Sequence, residues 1–161
     1  KKNYKVTFRP HPEHFKRSKK ILHIINESFK KNENYKFDDH KDNIGSMQNA
    51  KCLITDESGI SMEYLVLFNR PVLILSEIEK THNKDYLEFK DFIPIEKELN
   101  KNFNQIFKYD QIENIDSLIE KSKIKIKSKN SLLKNFIKKN FYNFGKVKIE
   151  FEKILENRMF D

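Results

Sequence analysis

Two short runs combine residue types that could handle a phosphorylated ligand. The first is Thr55-Asp56-Glu57-Ser58-Gly59, with Glu63 four residues beyond the glycine. A serine able to cap a helix, a glycine that lets a backbone come close and the free N–H groups of a helix start can together bind a diphosphate without a lysine. Glu63, one turn further along the same face, can accept hydrogen bonds from both hydroxyls of a ribose. The second run is Arg9-Pro10-His11-Pro12. Its two prolines stiffen the loop and hold a guanidinium and an imidazole where a phosphate could meet them. Each run also has a plain structural reading: a capped helix with a salt-bridged Glu, and a Pro-rich turn that starts a helix.

Both runs need strand ends to place them. Tyr4, Val6 and Phe8 alternate with Lys5 and Thr7, a strand pattern that stops at Pro10. The spacing of Phe15, Ile21, Leu22, Ile25 and Phe29 predicts one amphipathic helix, ended by residues 32–34. A short strand around Tyr35–Phe37 leads into Asp38-Asp39-His40, read as a strand-end turn, and a brief helix covers Ile44–Asn49. Cys52-Leu53-Ile54 reads as a strand buried on both faces, Ile60–Phe68 as a largely buried helix, and Val72-Leu73-Ile74-Leu75 as a second buried strand. Ser58 is the expected N-cap of the Ile60 helix. This alternation specifies βαβ units, hence an α/β fold with a parallel sheet and helices on both faces. Ligands then bind outside the carboxyl ends of the strands, where both runs fall.

The remainder is less regular. Ser76–Asn104 is mostly polar, with a short strand expected at Phe92–Ile95. Helices are expected at Ile112–Ile119, Leu132–Phe141 and Val147–Leu155, the last two forming a basic, aromatic tail. The expected division is a nucleotide-binding domain over 1–121 and C-terminal helices over 122–161.

The 161 residues carry a formal charge of +8, which on average suggests a nucleic-acid binder. Its distribution argues otherwise: residues 1–31 carry +8, residues 32–121 carry −7 and residues 122–161 carry +7. The phosphate-binding run lies in the acidic centre, and the basic flanks read as solvated helix faces without a nucleic-acid motif. One cysteine, Cys52, can form neither an internal disulfide nor a zinc site and fits a reducing compartment. Three Gly and four Pro exclude collagen-like and linker proteins. No Asp-X-Asp pair marks a metal site, and neither metal nor cofactor is expected.

The stretch Thr55-Asp56-Glu57-Ser58-Gly59-Ile60-Ser61-Met62-Glu63, followed by Asn69-Arg70-Pro71-Val72-Leu73, resembles the donor-nucleotide segment of GT-B-fold enzymes. Two branches are similar. The CDP-glycerol glycerophosphotransferases (teichoic-acid polymerase type) carry Thr-Asp-Tyr-Ser-Ser, then an acid, then Lys-Pro before a strand. The UDP-N-acetylglucosamine 2-epimerases carry Thr-Asp-Ser-Gly-Gly-Ile-Gln-Glu-Glu, then Lys-Pro-Val. Both carry a His-Pro after an upstream strand, matched here by His11-Pro12. The ending Asn140-Phe141-Tyr142-Asn143-Phe144-Gly145-Lys146 resembles the terminal region of the glycerophosphotransferases and favours that branch. Glu57 stands where that family has Tyr.

The resemblance implies the C-terminal, Rossmann-like half of a GT-B fold. It implies a transferase of cell-surface polysaccharide synthesis that moves a group from a CDP- or UDP-linked donor to an acceptor hydroxyl. Ser58 and Gly59 would hold the donor diphosphate, Glu63 the ribose, and Arg9 and His11 the phosphates, with Thr55 and Asp56 also among the substrate-binding residues. His11 would also stabilise the leaving group. The acceptor domain of such enzymes is N-terminal and absent from this chain, so the chain alone is expected to be inactive. Expected placement is cytoplasmic, peripheral on the inner face of the membrane, with no nucleic-acid partner. The alternatives are an epimerase-like domain and a non-catalytic basic module for nucleic acid or membrane.

Overall fold

A computed structural model describes residues 3–77, 85, 88 and 92–159. The chain divides into two compact units, Lys1–Ala50 and Lys51–Asp161.

The first unit contains strand β1 (Val6–Phe8), helices α1 (Pro12–Arg17) and α2 (Lys19–Phe29), strand β2 (Tyr35–Phe37) and helix α3 (Ile44–Asn49). β1 and β2 pair in parallel, with Phe8 opposite Phe37 at their ends. The Phe8 and Phe37 rings lie 5.9 Å apart, and Phe15 of α1 meets Phe37 edge-on at 6.2 Å. The single helix expected over Phe15–Phe29 is two helices. Ser18 leaves helical geometry (φ −131°, ψ 31°), and its N–H and side chain bond back to the carbonyl and ring of His14. The apolar stripe of α2 buries Leu22 and leaves Ile21, Ile24 and Phe29 more than half exposed.

The second unit contains strand β3 (Leu53–Thr55), helix α4 (Ile60–Phe68), strand β4 (Val72–Leu75), helix α5 (Ile95–Phe103) and strand β5 (Gln105–Phe107). A 3₁₀ turn over Tyr109–Asn114 then leads to helices α6 (Ile115–Ser128), α7 (Asn130–Asn140) and α8 (Val147–Met159). The sheet order is β3-β4-β5, all parallel, as βαβ connections require. Val72, Leu73 and Ile74 of the central strand are fully buried. Leu73 packs with Phe107, Leu118 and Ile119, joined by Cys52, Leu75 and Ile115, so α6 covers one face. Val72 and Ile74 alternate onto the opposite face, where α4 packs against β3 and β4. The result is the α/β, parallel, Rossmann-like layering expected from the sequence.

Three details differ from expectation. β3 is an edge strand and Ile54 is half exposed, so its apolar run does not mark burial on both faces. Ile95 starts helix α5 rather than ending a strand, because Pro94 opens the helix instead of closing an extended segment. β5 was not expected at all. Residues 78–84, 86–87 and 89–91 of the irregular stretch after Ser76 lie outside the described residues.

Candidate functional site

Each unit places some of the chemistry-bearing residues at the carboxyl ends of its parallel strands. In the second unit β3 ends at Thr55, and residues 56–59 lead directly into α4. The helix begins without the expected serine cap. Gly59 occupies the N-cap position in helical conformation (φ −56°, ψ −26°), with no side-chain cap. The first turn closes on backbone carbonyls instead: Ser61 N–H donates to Ser58 O (3.1 Å), and Met62 and Glu63 N–H donate to Gly59 O (3.0 and 3.1 Å). Ser58 Oγ turns toward Thr55 Oγ1, 3.3 Å away, and Thr55 Oγ1 also lies 3.5 Å from Asp56 Oδ1. The N–H groups of Gly59 and Ile60 keep no partner among the described residues. They are the donors that an anion would meet, with the positive end of the helix behind them.

Gly59 is exposed, and a Cβ built there would meet nothing within 4 Å. Since its backbone conformation suits any residue, nothing within the chain requires a glycine at this point. Glu63 follows on the exposed side of α4, which it shares with Leu67, and has no side-chain partner among the described residues. The salt bridge of the plain structural reading is therefore not formed there.

The start of α4 is anchored from below. Ser61 is fully buried, with its Oγ 2.8 Å from Ser58 O and 3.1 Å from Asn100 Oδ1 on α5. Asn100 also accepts from Asn104 Nδ2 at 2.7 Å. Beside this network a cavity of about 400 Å³ opens past the ends of β3 and β4, lined by Glu57, Ser76, Glu77, Lys97, Asn100, Lys101 and Ile106. Its size suits a small polar ligand. Ser76 Oγ donates to Glu57 Oε1 at 2.9 Å. Ser76, Lys97 and Asn100 were not singled out from the sequence. Only the position of Ser76, immediately after a buried strand, could have signalled it.

In the first unit, Arg9 and Asp38 each follow the end of a strand. Arg9 Nη1 donates to Asp38 Oδ2 (2.8 Å), and Arg9 Nη2 donates to the carbonyl of His40 (2.6 Å). Asp38 is buried and also accepts from the Ser46 hydroxyl, from His40 N–H (3.2 Å) and from His40 Nδ1 (2.7 Å). Burial pushes its carboxyl upward, but the hydrogen bonds from Ser46, His40 and Arg9 outweigh it and hold the group well below the usual carboxylate range. Asp38-Asp39-His40 is thus a strand-end turn, as expected, and additionally the anchor for Arg9. His11 is exposed at the N-cap of α1, where its Nδ1 accepts from Glu13 N–H at 3.2 Å. Among the described residues, no group of three or more His, Cys, Asp and Glu side chains is placed to hold a metal ion. Likewise no helix among them is long and apolar enough to cross a membrane.

Residues 1–140 match the family model described as CDP-glycerol:poly(glycerophosphate) glycerophosphotransferase. The chain belongs to this family. No curated protein and no solved structure matches it. Membership makes the chain part of a glycerophosphotransferase family, whose name carries a nucleotide-linked donor, and the match spans both strand-end clusters. Within a glycerophosphotransferase family, a buried carboxylate that fixes an arginine and a helix start with two N–H groups that have no partner among the described residues are features suited to phosphate chemistry.

Proposed function

We propose that this chain is the donor-nucleotide-binding part of a GT-B-fold transferase of cell-surface polymer synthesis, taking a CDP-linked polyol phosphate as donor. The N–H groups of Gly59 and Ile60 hold the diphosphate, with Thr55, Asp56 and Ser58 shaping the loop, and Glu63 accepts from the ribose hydroxyls. The cavity beside Glu57 offers room for the rest of the donor. In the first unit, Arg9 is held in place by Asp38, and His11 presents an imidazole for phosphate binding and leaving-group stabilisation. The acceptor hydroxyl comes from a separate acceptor-binding domain, without which the chain transfers nothing. Val147, Ile149 and Phe151 of α8 are exposed and offer apolar contact for peripheral placement on a membrane, while Lys148 and Lys153 pair with Glu152 and Glu150 of the same helix.

The observation that carries this reading is Glu63, exposed and without a partner among the described residues, one turn from two N–H groups that likewise have none among them, in a chain of this family. The test is calorimetric titration with CDP of the wild type and of the Ser58→Ala and Glu63→Ala variants. Saturable binding weakened in both variants supports the reading. Binding that neither substitution alters contradicts the placement of the donor.

A further inference from the structure

Asn100 of α5 is 7% exposed and lines the cavity past the ends of β3 and β4. Its Oδ1 accepts twice, from Ser61 Oγ at 3.1 Å and from Asn104 Nδ2 at 2.7 Å, so the amide fits only one way round. Its Nδ2 has no partner among the described residues and is the donor left for a ligand in the cavity. Glu57 is arranged in the complementary sense. Ser76 donates to its Oε1 and fixes the carboxylate, while Oε2 has no partner among the described residues and is left to accept. A nearly buried amide donor and a fixed carboxylate on one cavity suit hydroxyl groups, which can donate to the one and accept from the other. Lys101 on the same wall offers a further donor, and Ile106 an apolar side for a carbon chain. A group that can only accept, such as a further phosphate, would instead meet Glu57 acceptor to acceptor.

We propose that Glu57 and Asn100 are specificity-determining residues that read the hydroxyls of the group to be transferred. The inference rests on the donor placement proposed above. Along the chain, the N–H groups of Gly59 and Ile60 stand between Glu57 and Glu63. A donor whose diphosphate meets those N–H groups and whose ribose meets Glu63 turns its other end toward Glu57 and the cavity. There a hydroxyl donates to Glu57 Oε2 and another accepts from Asn100 Nδ2. A donor of the same charge without those hydroxyls leaves both protein groups desolvated and unpaired, which is how a site built for hydroxyls rejects the analogue lacking them. Because Asn100 also holds Ser61, the residue that anchors the start of α4, the hydroxyl-reading wall and the phosphate-binding turn share one buried network.

Calorimetric titration of the full chain with CDP-glycerol and with the propyl ester of CDP tests this. The two ligands carry the same charge and differ by the two free hydroxyls of the glyceryl group. The wild type is expected to bind CDP-glycerol at least about tenfold more tightly than the propyl ester. Glu57→Gln keeps an acceptor for Ser76, and Asn100→Asp keeps the acceptors for Ser61 and Asn104, so both variants preserve the internal hydrogen bonds. Each is expected to bring the ratio of the two affinities to within about threefold of unity, and a change common to both ligands cancels in that ratio. Equal affinity of the wild type for the two ligands, or a ratio unchanged in either variant, overturns the proposal. Where CDP binding is still weakened by Glu63→Ala, such a result leaves the donor site standing. A wild type that binds neither ligand nor CDP overturns the donor placement as well.

Discussion

Arg9 and Asp38 lie 29 residues apart in sequence and meet at 2.8 Å, joining the carboxyl ends of two parallel strands. Asp38 is 1% exposed and takes hydrogen bonds from Arg9, His40 and Ser46. Such a carboxylate organises its loop, because every donor around it would be left partly unsatisfied by its removal.

Asp38→Ala is therefore expected to destabilise the first unit by about 2–4 kcal/mol, read by urea denaturation or amide exchange within residues 1–50. The pH dependence has a definite sign. The folded carboxyl titrates lower than the unfolded one, so its contribution is fully present above pH of about 4 and is lost as pH falls further. In Asp38→Asn that portion of the acid destabilisation should disappear.

The two strands of the second unit that carry apolar runs should respond very differently to truncation. Leu73 on central β4 is fully buried against Phe107, Leu118 and Ile119, and Leu73→Ala should cost about 2–5 kcal/mol. Ile54 on edge strand β3 is 52% exposed, and Ile54→Ala should cost less than about 1 kcal/mol. Chemical denaturation of the two variants checks the contrast.

Gly59→Ala separates folding from binding. The residue is helical and a Cβ meets nothing within 4 Å, so stability should change by no more than about 0.5 kcal/mol. If a phosphate seats against this backbone, CDP affinity should fall at least about tenfold, as a loss of about 1.4 kcal/mol implies. Glu63→Ala should likewise leave the melting temperature unchanged while weakening nucleotide binding by about ten- to a hundredfold, the worth of a charge-assisted hydrogen bond.

Cys52 packs against the core around Leu73, and burial pushes its thiol up to about 11, with Lys123 pulling weakly the other way. At pH 8 it should carry at least about a hundredfold less thiolate than an ordinary cysteine. Alkylation by iodoacetamide should accordingly be slow in the folded chain and become rapid on addition of denaturant.

The legible parts of the fold were those in which local pattern and burial agree. α3 and α4 have the bounds that their apolar spacing and the turn at Asn69 demand, Asn69 adopting the left-handed conformation (φ 50°) that asparagine tolerates. β4 reads as a buried strand and is one. β5 escaped notice because Gln105–Phe107 is three residues long, with Gln105 and Ile106 incompletely buried, and it forms only by pairing with β4. In the site, Ser58-Gly59 was visible as a helix start, but which residue caps it depends on the φ/ψ of Gly59. Asp38 was hidden for a different reason. A carboxylate in a run of polar residues reads as solvated, and its partners Arg9 and Ser46 come from other elements.

In the function proposed above, the start of α4, and not the basic flanks, recognises an anionic ligand, a CDP-linked donor. Parallel titrations of the chain with CDP-glycerol and with a short DNA oligonucleotide, each at low and at raised salt, test it most directly. The expected result is saturable binding of CDP-glycerol, weakened by Glu63→Ala, and only loose oligonucleotide binding that salt abolishes. Tight oligonucleotide binding, together with no detectable binding of CDP-glycerol, would contradict it.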